Sequence, residues 1–197
     1  RVVWVRIHPG QNGTGDDDNA SFAIDGDALK TNRQFDHETK SRYTIRVQTE
    51  DSGGLNYEKQ FTISVVDVNE APTGFAISST EIPENESPGT LVGALSTTDQ
   101  DGGESFTYRL VSGAGDAGNA FFAIAGSTLT AAEEFDYETQ HTYTIRLQTE
   151  DSGGLTYEEQ FEISVTDVNE APTDLLLSLT EVPEDEPSGT IVGSLST

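Results

Sequence analysis

The chain has 197 residues, which is long enough for one or two domains, such as two β-sandwiches of about 100 residues each. Its 35 acidic and ten basic side chains give a formal charge of −25, so its field attracts cations and repels nucleic acids and anionic membranes. No apolar run approaches the ~18 residues of a membrane helix, and the absence of cysteine excludes disulfides and thiolate metal sites. The composition therefore predicts neither a nucleic-acid partner nor membrane insertion. The chain also lacks methionine, which suggests a processed or excised piece of a longer polypeptide.

The predicted secondary structure begins with a segment in which Val3, Val5 and Ile7 alternate with residues of the opposite face. Period-two alternation is typical of a half-buried strand. Further short β-rich segments follow, separated by Gly, Pro, Asp and Asn clusters, and no stretch sustains the period of a helix. They lie at about 75–80, 90–97, 105–111, 121–125, 127–131, 142–149 and 156–166. Seven strands in about 100 residues predict an all-β fold of seven-stranded Greek-key β-sandwiches.

The sequence repeats itself with a period of 100 residues. Residues 21–97 and 121–197 align without a gap and are identical at 48 of 77 positions. Such self-similarity indicates tandem copies of one structural unit. We expect a first repeat without its first two strands at 1–72, a complete repeat at 73–172, and the first two strands of a further repeat, the C-terminal hairpin, at 173–197.

Acidic residues recur in the loops between the predicted strands. If each connection reverses direction, alternate loops fall at opposite ends of the sandwich. One end then carries Glu84, Asp136, Glu138 and the acidic segment 167–170, and the other end carries Asp99, Asp101 and Asp151. Stacking one repeat on the next would bring the two sets of carboxylates together.

Clustered carboxylates repel one another strongly wherever water is partly excluded, so we expect a cation among them. Calcium suits these loops because it takes six to eight oxygen ligands in flexible geometry. Magnesium would keep more water, and zinc or copper would favour His or Cys. The three histidines, His8, His37 and His141, occupy no repeated position.

The acidic motifs resemble, in order and spacing, those of cadherin repeats. They are Pro83-Glu84-Asn85-Glu86, Asp99-Gln100-Asp101, Phe135-Asp136-Tyr137-Glu138, Thr149-Glu150-Asp151 and Asp167-Val168-Asn169-Glu170-Ala171-Pro172. The resemblance spans nearly all of residues 13–197 and is strongest to the cadherin-like repeats of large bacterial surface proteins. It implies seven-stranded sandwiches whose junctions bind up to three calcium ions and stiffen into an extracellular rod.

The resemblance also implies a ligand set for each junction. For the first junction the implied ligands are Asp36, Glu38, Asp67, the carbonyl of Val68, Asn69 and Glu70, with Asp99, Asp101 and Asp151 from the next repeat. The equivalent half-site further along the chain is Glu84, Asp136, Glu138, Asp167, Asn169 and Glu170. Two features depart from the family: Glu70 and Glu170 stand where Asp is usual, and the linker is one residue shorter.

The two incomplete repeats are complementary. A lone hairpin buries too little apolar area to stay folded, and a sandwich without its first two strands exposes a sheet edge. We therefore expect head-to-tail strand complementation, in which residues 175–197 of one chain complete residues 1–72 of a neighbouring copy and Glu184 supplies a missing calcium ligand. Such contacts propagate a filament unless they close into a ring or dimer. The alternative is that a long tandem array has been cut at these positions.

The predicted function is an extracellular, calcium-stiffened stalk, fibre or filament for adhesion or surface structure, because extracellular modules bind calcium weakly, at about 10⁻⁴–10⁻³ M. An enzyme is not expected, since the paired carboxylates recur in each repeat rather than forming one cleft. The alternative function is a carbohydrate-binding or spacer module of a larger secreted enzyme, with surface polysaccharide as its partner. Tyr57 and Tyr157 are the candidates for sugar contacts, whereas Tyr43 and Tyr143 fit core positions. Triplets at Asn12, Asn19 and Asn85 fit the glycosylation sequon.

Overall fold

The computed structural model describes the backbone of residues 2–7 and 16–196 and the side chains of residues 5–7 and 16–196. Two residues discussed above, His8 and Asn12, lie outside the described residues. The described elements are almost all strands, with two short 3-10 turns at Asn19–Ser21 and Asn119–Phe121. Within the described ranges, no helix has the length and apolarity needed to span a membrane.

The first repeat contributes five strands. They are β1 Val2–Ile7, β2 Phe22–Asp25, β3 Ala28–Thr31, β4 Arg42–Asp51 and β5 Asn56–Ser64. Strand β4 lies between β1 and β5 and is antiparallel to both, while β2 and β3 form a separate hairpin. The core contains Phe22, Tyr43 and Ile45, against which Ile7 and Phe35 pack. The opening segment is therefore a strand, as its alternation predicts.

The middle of the chain contains eight strands, at positions close to those predicted. They are β6 Gly74–Ile77, β7 Glu81–Pro83, β8 Leu91–Thr98, β9 Thr107–Leu110, β10 Phe122–Ala125, β11 Thr128–Ala131, β12 Thr142–Glu150 and β13 Thr156–Thr166. They form two four-stranded sheets, in the orders β10-β11-β8-β6 and β7-β13-β12-β9. The strand predicted at about 75–80 corresponds to β6, and β7 is an additional short strand that lies in the other sheet. Strand β7 is an edge strand parallel to β13, where Pro83, which has no N–H to donate, is tolerated.

By compactness the chain divides into two units. Unit one comprises Arg1–Ala76, Ser96–Arg109 and Gln148–Glu159, and unit two comprises Ile77–Leu95, Leu110–Leu147 and Gln160–Thr197. Strands β8, β12 and β13 run from one unit into the other. The three repeat boundaries predicted from the sequence stay a prediction.

The core of unit two repeats the aromatic packing of the first repeat. The ring centroids of Phe122 and Phe135 are 5.3 Å apart, and that of Tyr143 lies 6.0 Å from Phe122. The corresponding Phe22–Phe35 and Phe22–Tyr43 distances are 5.2 and 6.0 Å. Along β12 the alternating residues Tyr143, Ile145 and Leu147 are all buried, so burial of this face follows the sequence alternation. The core positions expected for Tyr43 and Tyr143 are confirmed.

The chain ends in a small antiparallel hairpin. Strand β14, Leu176–Leu177, pairs with β15, Leu195–Ser196. Its turn places Asp185 at φ +67°, and the equivalent turn of the complete repeat places Asn85 at φ +61°. Asp and Asn tolerate this left-handed conformation better than most residues. The hairpin therefore has the local form of its counterpart at 73–97.

Candidate metal centres

Carboxylates from four loops of unit one converge into a group that we call the first cluster. Ligand atoms of Glu38, Asp67, Glu70 and Asp101 lie within 4.8 Å of one another, as do those of Asp99, Glu104 and Asp151. Glu38 lies in the turn between β3 and β4, and Asp67 and Glu70 lie in the segment after β5. Asp99, Asp101 and Glu104 follow β8, and Asp151 follows β12. Positions up to 63 residues apart in sequence, Glu38 and Asp101, thus meet within one of these groups.

Hydrogen bonds hold the segment after β5 against the other loops of the first cluster. The backbone N–H of Glu70 donates to Asp101 Oδ2 at 2.8 Å, and Asn69 Nδ2 donates to Asp151 Oδ2 at 3.0 Å. The N–H of Asp101 donates to Asp99 Oδ1 at 3.1 Å, which fixes the Asp-x-Asp turn. The acidic loops are therefore oriented toward one another by amide donors.

Asp151 is the most deeply buried of the predicted ligands in the first cluster, with 5% of its surface exposed. Burial raises the pKa of this carboxyl, but hydrogen bonds from the Asn69 amide and from the N–H groups of Leu155 and Gly153 outweigh it, so the pKa is below its ordinary value. The same hydrogen bonds therefore favour the ionised form of Asp151, which is the form that a metal ligand takes.

Several carboxylate oxygens of the first cluster are buried without a hydrogen-bond partner among the described residues. They are Glu70 Oε2, Asp99 Oδ2, Asp101 Oδ1 and Glu104 Oε2. A buried acceptor without a partner loses its interactions with water and gains nothing in return, which costs more for a charged group than for a neutral one. The donor set consists of oxygens only, which suits a hard cation. The first cluster therefore fits a bound calcium ion.

A second cluster lies within unit two. Ligand atoms of Glu84, Glu138, Asp167 and Glu170 are within 4.8 Å of one another. Glu84, which follows β7, is 2% exposed and accepts hydrogen bonds from the N–H groups of Tyr137 at 2.7 Å and Val168 at 2.8 Å. One buried carboxylate thus fixes the two loops that carry the other acidic residues.

Like charges in the second cluster act on Glu138. Although a backbone hydrogen bond lowers its pKa, desolvation and repulsion from Glu84, Glu170 and Asp167 together raise it above its ordinary value. On the other side of the cluster, Asn85 Nδ2 donates to Glu170 Oε1 at 2.6 Å. The repulsion felt by Glu138 is the interaction that a cation would relieve.

Not all of the predicted ligands lie in these groups. Asp36 and Asp136 each accept hydrogen bonds from the N–H and hydroxyl of the threonine three residues later, at 2.8–2.9 Å. The Thr39 hydrogen bonds lower the pKa of Asp36. Both oxygens of each side chain thus hold a local turn, and neither residue belongs to the acidic groups described above.

Three further predicted ligands, Val68, Asn169 and Glu184, are exposed to solvent. Val68 and Asn169 are exposed, and Asn169 Nδ2 donates only weakly, at 3.4 Å, to the carbonyl of Glu170. Glu184 is exposed in the C-terminal hairpin, unlike its counterpart Glu84. The metal ligands themselves stay predictions.

Sequence reasoning missed Glu104, which belongs to the first cluster, and a second residue that contacts this cluster. Glu104 was not expected there because it has no counterpart in an acidic motif, yet its Oε1 accepts a hydrogen bond from Ser152 at 2.9 Å. The other is His37, whose Nδ1 lies 3.0 Å from Glu38 Oε1. Its position next to Glu38 in the Phe-Asp-x-Glu motif is the signal that could have identified it.

Comparison with known proteins gives a family and a set of relatives. Residues 78–166 match the family model described as "Cadherin domain". The chain is 32% identical over 187 residues to Protocadherin Fat 4 of Mus musculus, covering 91% of this chain and 4% of that protein. It is also 32% identical over 182 residues to Cadherin-22 of Rattus norvegicus, covering 81% of this chain and 22% of that protein. The chain thus spans only a small part of these curated relatives.

Solved structures agree with these matches. The extracellular cadherin domains 1-4 of Protocadherin Gamma B7 superpose with a TM-score of 0.72 at 25% identity, covering 98% of this chain and 49% of that chain. The likeness confirms the predicted all-β sandwich fold and the extracellular or cell-surface location. The bacterial type stays a prediction. The chain therefore contains a cadherin-like repeat.

Proposed function

We propose that the chain is a calcium-binding segment of an extracellular adhesion protein, in which calcium stiffens the connection between successive cadherin-like repeats. The observation that carries this proposal is the set of four partnerless, buried carboxylate oxygens in the first cluster. Calcium would be held by the carboxylates of this cluster and would supply the positive charge that they lack. Magnesium, which binds fewer protein oxygens and keeps its waters, fits less well.

Stiffening follows from where the ligands lie in the sequence. Glu38, Asp67 and Glu70 belong to the predicted first repeat, whereas Asp101 and Asp151 belong to the complete repeat. Without an ion, the amide hydrogen bonds of Asn69 and Glu70 join these loops against the repulsion of the surrounding carboxylates. With an ion bound, repulsion becomes attraction, so the segment after β5 loses its freedom to swing.

The relatives support adhesion rather than catalysis or sugar binding. They are cadherins and protocadherins, which are adhesion proteins, and this favours the expectation that the chain is not an enzyme. No support is found for a polysaccharide partner. Tyr157, one of the two candidates for sugar contacts, packs edge-on against Phe75 with ring centroids 6.2 Å apart.

The test is the effect of calcium on thermal stability. If the sites bind at about 10⁻⁴–10⁻³ M, about 10 mM calcium should stabilise the fold by about 1.4–2.7 kcal/mol per site. Asp151→Asn should lose part of the calcium-induced rise in melting temperature, because it removes a charge from the first cluster. Asp51→Asn is the matched control, since Asp51 has the same loop sequence but belongs to neither cluster.

Two results would contradict the proposal: a melting temperature of the parent chain that is the same in calcium and in chelator, or an equal calcium response in both variants. Small-angle X-ray scattering tests the stiffening itself. The longest dimension of the chain should become better defined in calcium and more broadly distributed in chelator.

A second candidate function, strand complementation between copies, is favoured by the exposure of the C-terminal hairpin. In the complete repeat, Phe75, Ile82, Val92 and Leu95 are 1–7% exposed. Their counterparts are much more exposed: Leu175 64%, Val182 51%, Val192 38% and Leu195 68%. The C-terminal hairpin thus exposes to solvent the side chains whose counterparts are buried in the segment 73–97.

The first repeat presents the matching groove. It is lined by Val5, Ile24, Asp27, Leu29, Ile45, Val47, Phe61 and Ile63. Leu29 is 43% exposed there, whereas its counterpart Leu129 is fully buried. In a longer polypeptide an adjoining repeat would cover this groove, and between separate copies of this chain the hairpin of one would complete the groove of the next.

Light scattering across a range of chain concentrations tests complementation. We expect the parent to form dimers or longer assemblies, and Val182→Asp with Leu195→Asp to remain monomeric while the complete repeat keeps its fold. A parent that is strictly monomeric at all concentrations would rule complementation out and leave the calcium proposal untouched.

A further inference from the structure

His37 introduces a nitrogen atom into a cluster that is otherwise made of oxygens. Its Nδ1 lies 3.0 Å from Glu38 Oε1 and 3.5 Å from Asp67 Oδ1. The ligand atoms of these three residues are within 4.8 Å of one another. The imidazole is 34% exposed and the Asp67 carboxylate 58% exposed, so an ion in solution can reach both.

The equivalent position of the second cluster has no such nitrogen. Tyr137 stands there, and its ring lies against His141 with centroids 5.1 Å apart. The four residues of the second cluster offer carboxylate oxygens only. The chain therefore contains two versions of one loop: one has an imidazole beside the repeated glutamate, and the other does not.

The nitrogen decides which ion the first version can take. Calcium and magnesium prefer oxygen ligands, whereas zinc and its first-row neighbours bind imidazole well and tolerate carboxylates beside it. Zinc with ligands at 2.0–2.2 Å in tetrahedral geometry places neighbouring ligand atoms about 3.3–3.6 Å apart. The two separations measured from His37 Nδ1, 3.0 and 3.5 Å, are close to that spacing.

We propose that His37, Glu38 and Asp67 form a binding site for a late first-row divalent cation, for which zinc is the probe. Three protein ligands leave the fourth tetrahedral position open to water or to a further carboxylate. The site goes beyond the proposed calcium function and shares two carboxylates with it. Zinc and calcium therefore compete at the first cluster and not at the second.

Zinc titration of the whole 197-residue chain by calorimetry, in calcium-free buffer, tests the site. The chain supplies its own control substitutions: His37→Tyr gives the first loop the residue found at 137, and His141→Ser gives the second the residue found at 41. We expect His37→Tyr to weaken zinc binding by at least about tenfold, because losing a ligand should cost no less than losing a group that merely orients one. His141→Ser should bind zinc like the parent.

Three results would contradict the proposed zinc site. They are no zinc binding by the parent, undiminished zinc binding by His37→Tyr, and loss of zinc binding in His141→Ser. Cobalt gives a second readout, because tetrahedral nitrogen and oxygen ligation produces a visible absorption that His37→Tyr should abolish. Calcium stabilisation, measured in the same variants, keeps the two proposals distinct. His37→Tyr retains every carboxylate, so a chain that responds to calcium but not to zinc contradicts only the zinc site.

Discussion

The two acidic clusters share their loop sequences but differ in what faces those loops. In the first cluster, Asn69 reaches Asp151 and the N–H of Glu70 reaches Asp101. In the second, the equivalent Asn169 and Glu170 are exposed, and the organising group is the buried carboxylate of Glu84. An identical Asp-Val-Asn-Glu-Ala-Pro segment thus takes a different environment from the residues packed opposite it.

Each cluster contains residues whose counterparts the other lacks among the described residues. The first has the carboxylates of the loops after β8 and β12, and the second has the glutamate after β7. Among the described residues, the buried carboxylate oxygens without a partner belong to Glu70 and to the loop after β8, which the hydrogen bond from the Glu70 N–H to Asp101 joins. The comparison teaches that one loop motif forms an acidic group in both places and that the residues packed opposite it decide which of the carboxylate oxygens are buried.

The largest effect is expected from removing the organising carboxylate of the second cluster. Glu84→Ala leaves the N–H groups of Tyr137 and Val168 without their acceptor, which should lower the free energy of unfolding by about 3 kcal/mol. Urea denaturation in chelator measures the loss without a contribution from metal. Glu184→Ala, in the exposed counterpart, should leave stability unchanged, and equal losses in the two variants would contradict the role given to Glu84.

An intermediate effect is expected from substituting Gly153, because the Asn69 side chain occupies the space that a Cβ at this position would need. A Cβ at Gly153 would lie 2.5 Å from Asn69 Oδ1, so Gly153→Ala should push the amide away from Asp151. Calcium affinity at the first cluster should fall by about tenfold, the scale seen when a group that orients a metal ligand is lost. Isothermal titration with calcium measures it.

The equivalent substitution in the first repeat is the control for that prediction. At Gly53 the nearest atom to an added Cβ is Asp51 Oδ1 at 3.3 Å, and no residue of either cluster is displaced. Gly53→Ala should therefore bind calcium like the parent. If it weakens binding as much as Gly153→Ala does, the contact with Asn69 is not the cause.

The smallest effect is a pH dependence at the second cluster. Because the pKa of Glu138 is raised in the folded chain, the protonated form favours folding. Its stabilising contribution is complete below the ordinary glutamate pKa and is lost as pH rises through the raised value. In chelator, the melting temperature of Glu138→Gln should therefore be higher than that of the parent at neutral pH and equal to it at acidic pH. A higher melting temperature of the parent at neutral pH would contradict the prediction.

The strands and the repeat could be predicted because each depends on a local pattern. Alternation along β12 and β13 gave their positions and faces, since every second residue must enter the core. The opening strand is less regular. Arg6 in β1 pairs with Glu50, and Arg109 in β9 pairs with Glu150. The two glutamates are 100 residues apart but the two arginines are 103 apart, so equivalent positions of β1 and β9 are shifted by three residues from the 100-residue period. Sequence offset alone could not give that register.

The cluster members were predictable where charge recurs and unpredictable where a local interaction competes. Asp36 and Asp136 stand in the ligand motif, yet each holds the turn to the following threonine, which an Asp-x-x-Thr sequence allows equally well. Glu104 and His37 each occur in one copy of the repeat and have no counterpart in the other, so a search for repeated positions overlooks them. A function that differs between two copies of a unit is visible only in the residues that they do not share.

The left-handed turn at Asn85 places a glycosylation sequon beside the second cluster. Asn85 begins an Asn-Glu-Ser triplet, and the same amide nitrogen that an oligosaccharide would modify donates to Glu170. A sugar attached there would leave the nitrogen one N–H for this hydrogen bond and would fill the space beside the carboxylates. If the second cluster holds a cation, as we propose for the first, a sugar at Asn85 would weaken binding at the second cluster and leave the first cluster, where Asn69 begins no such triplet, unchanged.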